Sequence, residues 1–228
     1  MSLILHIDTA TENAIVGISR HGQMLHFLQH ASQKDHAAFL HIAVQQLLKK
    51  AELSLQDLEA VAVTGGPGSY TGLRVGLASA KGFCYALHIP LIVCNTLEIL
   101  TTSAIYQLSS LSDFNDIKFC PMIDARRMEV FTAVYNSSMV NIIAPKALIL
   151  EPISFVENLL QGKIIFFGSG ANKWKNLCNH PHAIFENISF HPHAMAKFTQ
   201  EKFLQSIFVE PAYCEPLYLK EFQSVINK

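Results

Sequence analysis

Apolar positions along this chain recur with two periods, and the periods divide it into strands and helices. Short apolar runs at 3–7, 60–63, 89–95, 118–123 and 163–167 have the length and β-branched content of buried strands. Further strands are expected at 13–19, 24–30, 129–135 and 139–150, where turn residues bound each run. Helical spacing places Leu40, Ala43, Val44, Leu47, Leu48 and Ala51 on one stripe and predicts a helix over 35–51. Asp35 suits its first turn and Lys49-Lys50 its last, as the helix dipole prefers, while Phe39 and Ile42 lie off the stripe as apolar surface. Other helices are expected at 71–87, at 96–106 with Thr96 as cap, at 153–160 after Pro152, through Trp174, and at 193–205.

The order of these elements repeats. A strand ends at Asp8, then come a turn, a second strand, a hairpin and a third strand; after a Ser/Asp/Asn-rich linker at 107–116, the run at 118–123 ends at Asp124 and the series restarts. Duplicated lobes are therefore expected, one over 1–106 and a smaller one over 107–228. The tail at 210–222, with two prolines and two tyrosines, reads as an extended segment tied down on a lobe, and it is able to pack back on the first. An opening of strand, acid, turn, strand, hairpin and strand points to a ribonuclease H-like or actin-like lobe. There the acid ending the first strand approaches a metal–phosphate group. Asp8 serves equally as the acid of a local Asx turn.

Between the strand at 60–63 and the helix at 71–87 stands Gly65-Gly66-Pro67-Gly68, followed by Ser69 and Thr71 as candidate caps. Gly68, Gly72, Gly76, Ala80 and Cys84 then recur at every fourth position, all small. A glycine inside a helix costs about 1 kcal/mol relative to alanine, so something packs closely on that stripe. Three readings stand: a phosphate loop at a helix N-terminus, seating of the helix on its own sheet, or contact with another subunit. Neither the Walker pattern nor G-x-G-x-x-G fits, since the first lysine is Lys81 and the glycine after Gly68 is Gly72.

Composition narrows the function classes. Of 228 residues half are apolar and 15% charged, leaving apolar surface for a partner. A net charge of −1, with basic residues scattered, is no electrostatic footprint for nucleic acid, so any such contact is expected to be shared with another protein. Five cysteines without C-x-x-C spacing read as reduced thiols. With no basic start before an apolar run and no membrane-length stretch, a cytoplasmic protein without membrane contact is expected. His36 and His41 tempt a metal assignment, but five positions put them about 140° apart around a helix. No metal is expected there.

Four blocks together resemble the TsaB (YeaZ) family: Ile7-Asp8-Thr9-Ala10-Thr11, the central Gly66-Pro67-Gly68-Ser69-Tyr70-Thr71-Gly72-Leu73-Arg74-Val75-Gly76, Asp124-Ala125-Arg126-Arg127 followed by Glu129-Val130-Phe131, and Pro216-Leu217-Tyr218-Leu219. The resemblance spans nearly the whole chain, and the central block is its most specific part. It implies an α/β fold of two tandem actin-like (ASKHA, ribonuclease H-like) lobes with mixed sheets flanked by helices. It also implies a non-catalytic scaffold without cofactor, working in the bacterial cytoplasm. Its partners would be a TsaD-type catalytic subunit and a TsaE-type ATPase, in threonylcarbamoyl transfer to the adenosine 3′ of the anticodon of tRNAs reading codons that start with A. tRNA would be reached only through that complex.

In the family the first lobe's two helices dock the catalytic subunit or a second copy. The resemblance thus makes His36, Phe39, Ile42, Gly72, Leu73, Arg74, Gly76 and Ala80 the expected partner contacts, and it raises the subunit reading of the small stripe above the other two. The chain departs from the family pattern at His36-Ala37 and Leu40-His41, where a His-Ser pair and a Leu-Pro are common. It also lacks an H-x-x-x-H pair at the matching helix and a glycine in the Thr9-Ala10-Thr11 turn, leaving Asp8, Thr9 and Thr11 as a degenerate phosphate site. The alternative is an independent actin-like ATPase or small-molecule kinase. It needs Asp8 and Asp124 as metal-directed acids, Thr9 and Thr11 on phosphate, and Gly168 to Gly170 on the base.

Overall fold

The computed structural model describes residues 2–31, 35–109 and 116–220. The first half forms β1 (Leu3–Asp8), β2 (Ala14–Arg20), β3 (Gln23–His30), α1 (His36–Lys50), β4 (Ala60–Gly66), α2 (Tyr70–Leu87), β5 (Leu91–Asn95) and α3 (Thr96–Leu108). The second forms β6 (Lys118–Asp124), β7 (Glu129–Tyr135), β8 (Asn141–Ile149), α4 (Val156–Leu160), β9 (Ile164–Phe167), α5 (Ala171–Lys175), β10 (Ala183–Phe185) and α6 (Pro192–Leu204). One sheet runs β3-β2-β1-β4-β5 and the other β10-β9-β6-β7-β8. In each, the first strand is antiparallel to the second and parallel to the fourth, so the two sheets correspond strand for strand. This is the duplicated actin-like α/β fold that the repeated element order predicts.

Alternation along β1 supplies both faces of the first sheet. Leu5 and Ile7 join Leu40, Val44 and Leu47 of α1 and Leu77 and Ala80 of α2 in one core. Ile4, Ala62 and Ile92 face the other way, onto Ile99 of α3 and Met195 of α6. Leu97, Leu100 and Ala104 of α3 meet Phe119, Tyr135 and Ile165 of the second sheet, so α3 lies between the two sheets. Beyond the second sheet, Phe155, Phe166 and Trp174 build a further core with α4 and α5.

Part of the second half packs on the first sheet. Met195 of α6 lies in the first sheet's core, and the chain stays there afterwards: the Val209 amide donates to the Leu91 carbonyl and the Leu217 amide to the Gly65 carbonyl at 2.7 Å. It then reaches the second lobe, where Lys220 pairs with Glu129 of β7. The linker expected at 107–116 falls mostly on 110–115, outside the described residues, as do the last two positions of the tail expected to end at 222.

Candidate functional site

The close packing that the small stripe demands is met inside the lobe. α2 begins at a Ser69 cap, whose Oγ accepts from the Gly72 amide at 3.2 Å. The turn after β1 lies directly on this first stretch of helix. Thr9 Oγ1 donates to the Gly72 carbonyl at 2.7 Å, and the Ser69 amide donates to the Ala10 carbonyl at 2.7 Å. A methyl group at Gly68, Gly72 or Gly76 would overlap the Ala10 carbonyl oxygen, the Thr9 carbonyl oxygen or Thr9 Oγ1, respectively.

Gly72, Leu73, Gly76 and Ala80, which the resemblance made partner contacts, are all buried against their own lobe. His36 is buried as well. It is 2% exposed, and its Nε2 hydrogen-bonds the Glu12 carbonyl at 3.2 Å, tying α1 to the turn after β1. Phe39 is half-buried and stacks on His30, with centroids 5.3 Å apart. Ile42 and Arg74 do reach the surface, Arg74 lying over the Tyr70 ring at 4.0 Å and donating to Tyr218 Oη at 3.0 Å.

The expected phosphate residues do not form an open cradle either. Asp8 is 1% exposed; its Oδ1 accepts from Thr64 Oγ1 at 2.5 Å and from the Ala10 amide at 3.0 Å. Burial pushes its carboxyl above the usual range. Thr9 is fully buried, and Thr11 Oγ1 donates to the Asn13 carbonyl at 3.4 Å. Leu217 covers the glycine turn itself: its carbonyl oxygen lies 2.6 Å from where a Cβ on Gly66 would stand. In the second lobe the matching turn is also satisfied internally, with the Asp124 amide donating to Ser169 Oγ at 3.0 Å and the Gly170 amide to the Met122 carbonyl at 2.9 Å. Asp124 Oδ1 accepts from Lys173 Nζ at 2.6 Å.

What α1 and α2 leave open is their outer face. A second small series, Ala78, Gly82 and Ala86, runs along it, all three exposed, and a Cβ at Gly82 would meet nothing within 4 Å. Ile42 of α1, 56% exposed, and Tyr85 of α2, 83% exposed, are large side chains that the two helices present to the surface. His41 of α1 and Phe83 of α2 come together with centroids 5.8 Å apart. Around them lie two shallow depressions of about 460 and 530 Å³, sharing His41, Leu55 and Phe83, one toward Val44 and Leu48 and the other toward Ala78 and Gly82. The sequence reading missed Gly82, Phe83 and Tyr85. Among the described residues no group of three or more His, Cys, Asp or Glu is placed to hold a metal ion, and no helix is long and apolar enough to cross a membrane.

Residues 29–210 match the family model described as TsaD: tRNA N6-adenosine threonylcarbamoyltransferase. The Escherichia coli tRNA threonylcarbamoyladenosine biosynthesis protein TsaB is 30% identical over 179 residues, 76% of this chain and 74% of that protein. Its Bacillus subtilis namesake is 32% identical over 133 residues, 58% of this chain, and the match spans 55% of that protein's length. The structure of YeaZ from Pseudomonas aeruginosa superposes with a TM-score of 0.81 at 24% identity, over 96% of this chain and all of that one.

Proposed function

The chain belongs to the TsaD family and within it to TsaB (YeaZ), and from that premise we propose that it is a non-catalytic partner subunit in tRNA threonylcarbamoyladenosine biosynthesis. It positions a TsaD-type catalytic subunit, works with a TsaE-type ATPase, and so contributes to threonylcarbamoyl transfer onto the adenosine 3′ of the anticodon in tRNAs that read codons starting with A. The setting is the bacterial cytoplasm. The observation that carries this reading is the contrast between the two faces of α2: the glycine face is filled by the chain's own turn after β1, while the Ala78-Gly82-Ala86 face is open and Tyr85 of the same helix is exposed. Small residues four apart let a second helix approach closely, and Tyr with an adjoining apolar depression is the composition of an interface centre. A homodimer would use the same surface and compete with the catalytic subunit for it.

An independent ATPase or kinase would need Asp8, Thr9 and Thr11 open to phosphate; Asp8 and Thr9 are buried, with Asp8 Oδ1 and Thr9 Oγ1 hydrogen-bonded within the fold. The test is Gly82→Trp, which adds bulk where space is free and so leaves the monomer's thermal melt unchanged. Size-exclusion chromatography with light scattering should find the wild-type chain in a mixed complex with the TsaD-type subunit of its organism and the variant outside it. Equal association of both proteins removes the α2 face as the interface.

A further inference from the structure

The β6–β7 hairpin turns through Ala125, Arg126, Arg127 and Met128, and both arginines have positive φ, +68° and +48°. The turn closes with the Glu129 amide donating to the Arg126 carbonyl at 3.1 Å and the Ala125 amide to the Glu129 carbonyl at 3.1 Å. Two consecutive left-handed positions are what Asn-Gly supplies without strain; two side chains as large as arginine hold them against their steric preference. Their charges are also uncompensated locally. The carboxylate before the turn, Asp124, is paired with Lys173, and the one after it, Glu129, is paired with Lys220. Arg126 and Arg127 are exposed, and among the described residues no hydrogen bond or ion pair holds either guanidinium. In a chain with a net charge of −1, the hairpin tip is thus a local site of two free positive charges.

We propose that Arg126 and Arg127 grip phosphodiester groups of the RNA on which the assembled complex works. Guanidinium forks suit phosphate oxygens, and successive phosphates along a backbone offer one partner to each. Contact of this kind positions RNA without reading sequence, and it needs only a point of charge rather than a basic face. The proposal rests on the function proposed above, since it takes the partner complex to act on tRNA.

The test uses the complex of this chain with its TsaD-type subunit and measures binding of an unmodified tRNA transcript by fluorescence anisotropy, from about 50 to about 200 mM salt. The variant is Arg126→Asn with Arg127→Gly, which keeps the turn by supplying its preferred residues, so its melting temperature is expected to equal or exceed the wild type's. Two lost phosphate contacts flatten the slope of log K against log salt by about 1.4–1.8, taking 0.7–0.9 for each phosphate. An unchanged slope in an intact variant complex overturns the proposal while leaving the partner function in place. A variant that no longer joins the catalytic subunit, with an unchanged slope for what complex remains, overturns it in favour of acidic groups on the protein partner. Failure of the wild-type complex to form removes both readings; a complex that forms without binding tRNA overturns this proposal alone.

Discussion

His6 has the side chain that most directly links one position in this sequence to the stability of the whole. It lies on the inner face of β1, where Nε2 meets Ser19 Oγ at 2.7 Å and Nδ1 is 3.5 Å from Thr199 Oγ1 of α6. Burial lowers its pKa to about 3, so the folded protein holds it neutral. Above about pH 6.5 neither state binds the proton; below it the unfolded chain does, and stability falls by about 1.4 kcal/mol per pH unit until the folded pKa is reached. Asp8 has the opposite sign: burial raises its carboxyl, so it contributes stability in acid that is lost as pH climbs past 3.8. A comparison of wild type with His6→Gln cancels that contribution. In urea unfolding between pH 7 and pH 5, the wild type should lose about 2 kcal/mol more than the variant. Parallel pH profiles would place the charged imidazole in the fold.

At the scale of one element, α2 explains what was legible and what was not. Its small residues at i, i+4 are plain in the sequence, but spacing gives a period without a phase, and α2 carries two such series. Leu73 and Leu77, each one position beyond Gly72 and Gly76, mark the buried side; Lys81 and Tyr85 accompany the outward Ala78-Gly82-Ala86 series. The four-residue period was read correctly, while its burial against Thr9 depends on a turn more than sixty residues away. The same limit hid His36, whose partner is the Glu12 carbonyl, and it hid β10, three residues long and recognisable only by its pairing with β9. The two faces predict opposite effects of one substitution. Gly76→Ala forces a methyl onto Thr9 Oγ1 and should cost about 1–3 kcal/mol, lowering the melting temperature by about 2–4 °C for each. Gly82→Ala meets open space and should stabilise by about 0.5–1 kcal/mol through helix propensity. Thermal melts of the two variants that shift in the same direction would contradict this assignment of faces.

Across the whole molecule, the duplication was legible because each half repeats strand, acid, turn and strand, with Asp8 and Asp124 at matching places. The return of α6 was not, because Met195 packs with Ile4 and Ile92, which are far from it in sequence. The segment beyond it runs over the glycine turn and reaches Glu129, so one stretch of chain both covers that turn and bridges the lobes. The turn is covered by the chain's own backbone and one helix face is open, as the proposed partner role requires. The direct measurement is reconstitution of threonylcarbamoyl transfer to unmodified tRNA, read as incorporation of labelled threonine, with the TsaD-type and TsaE-type subunits of the same organism. Transfer should require this chain, disappear with Gly82→Trp, and be absent from this chain alone. Full transfer without it, or undiminished transfer with the variant, would contradict the partner role.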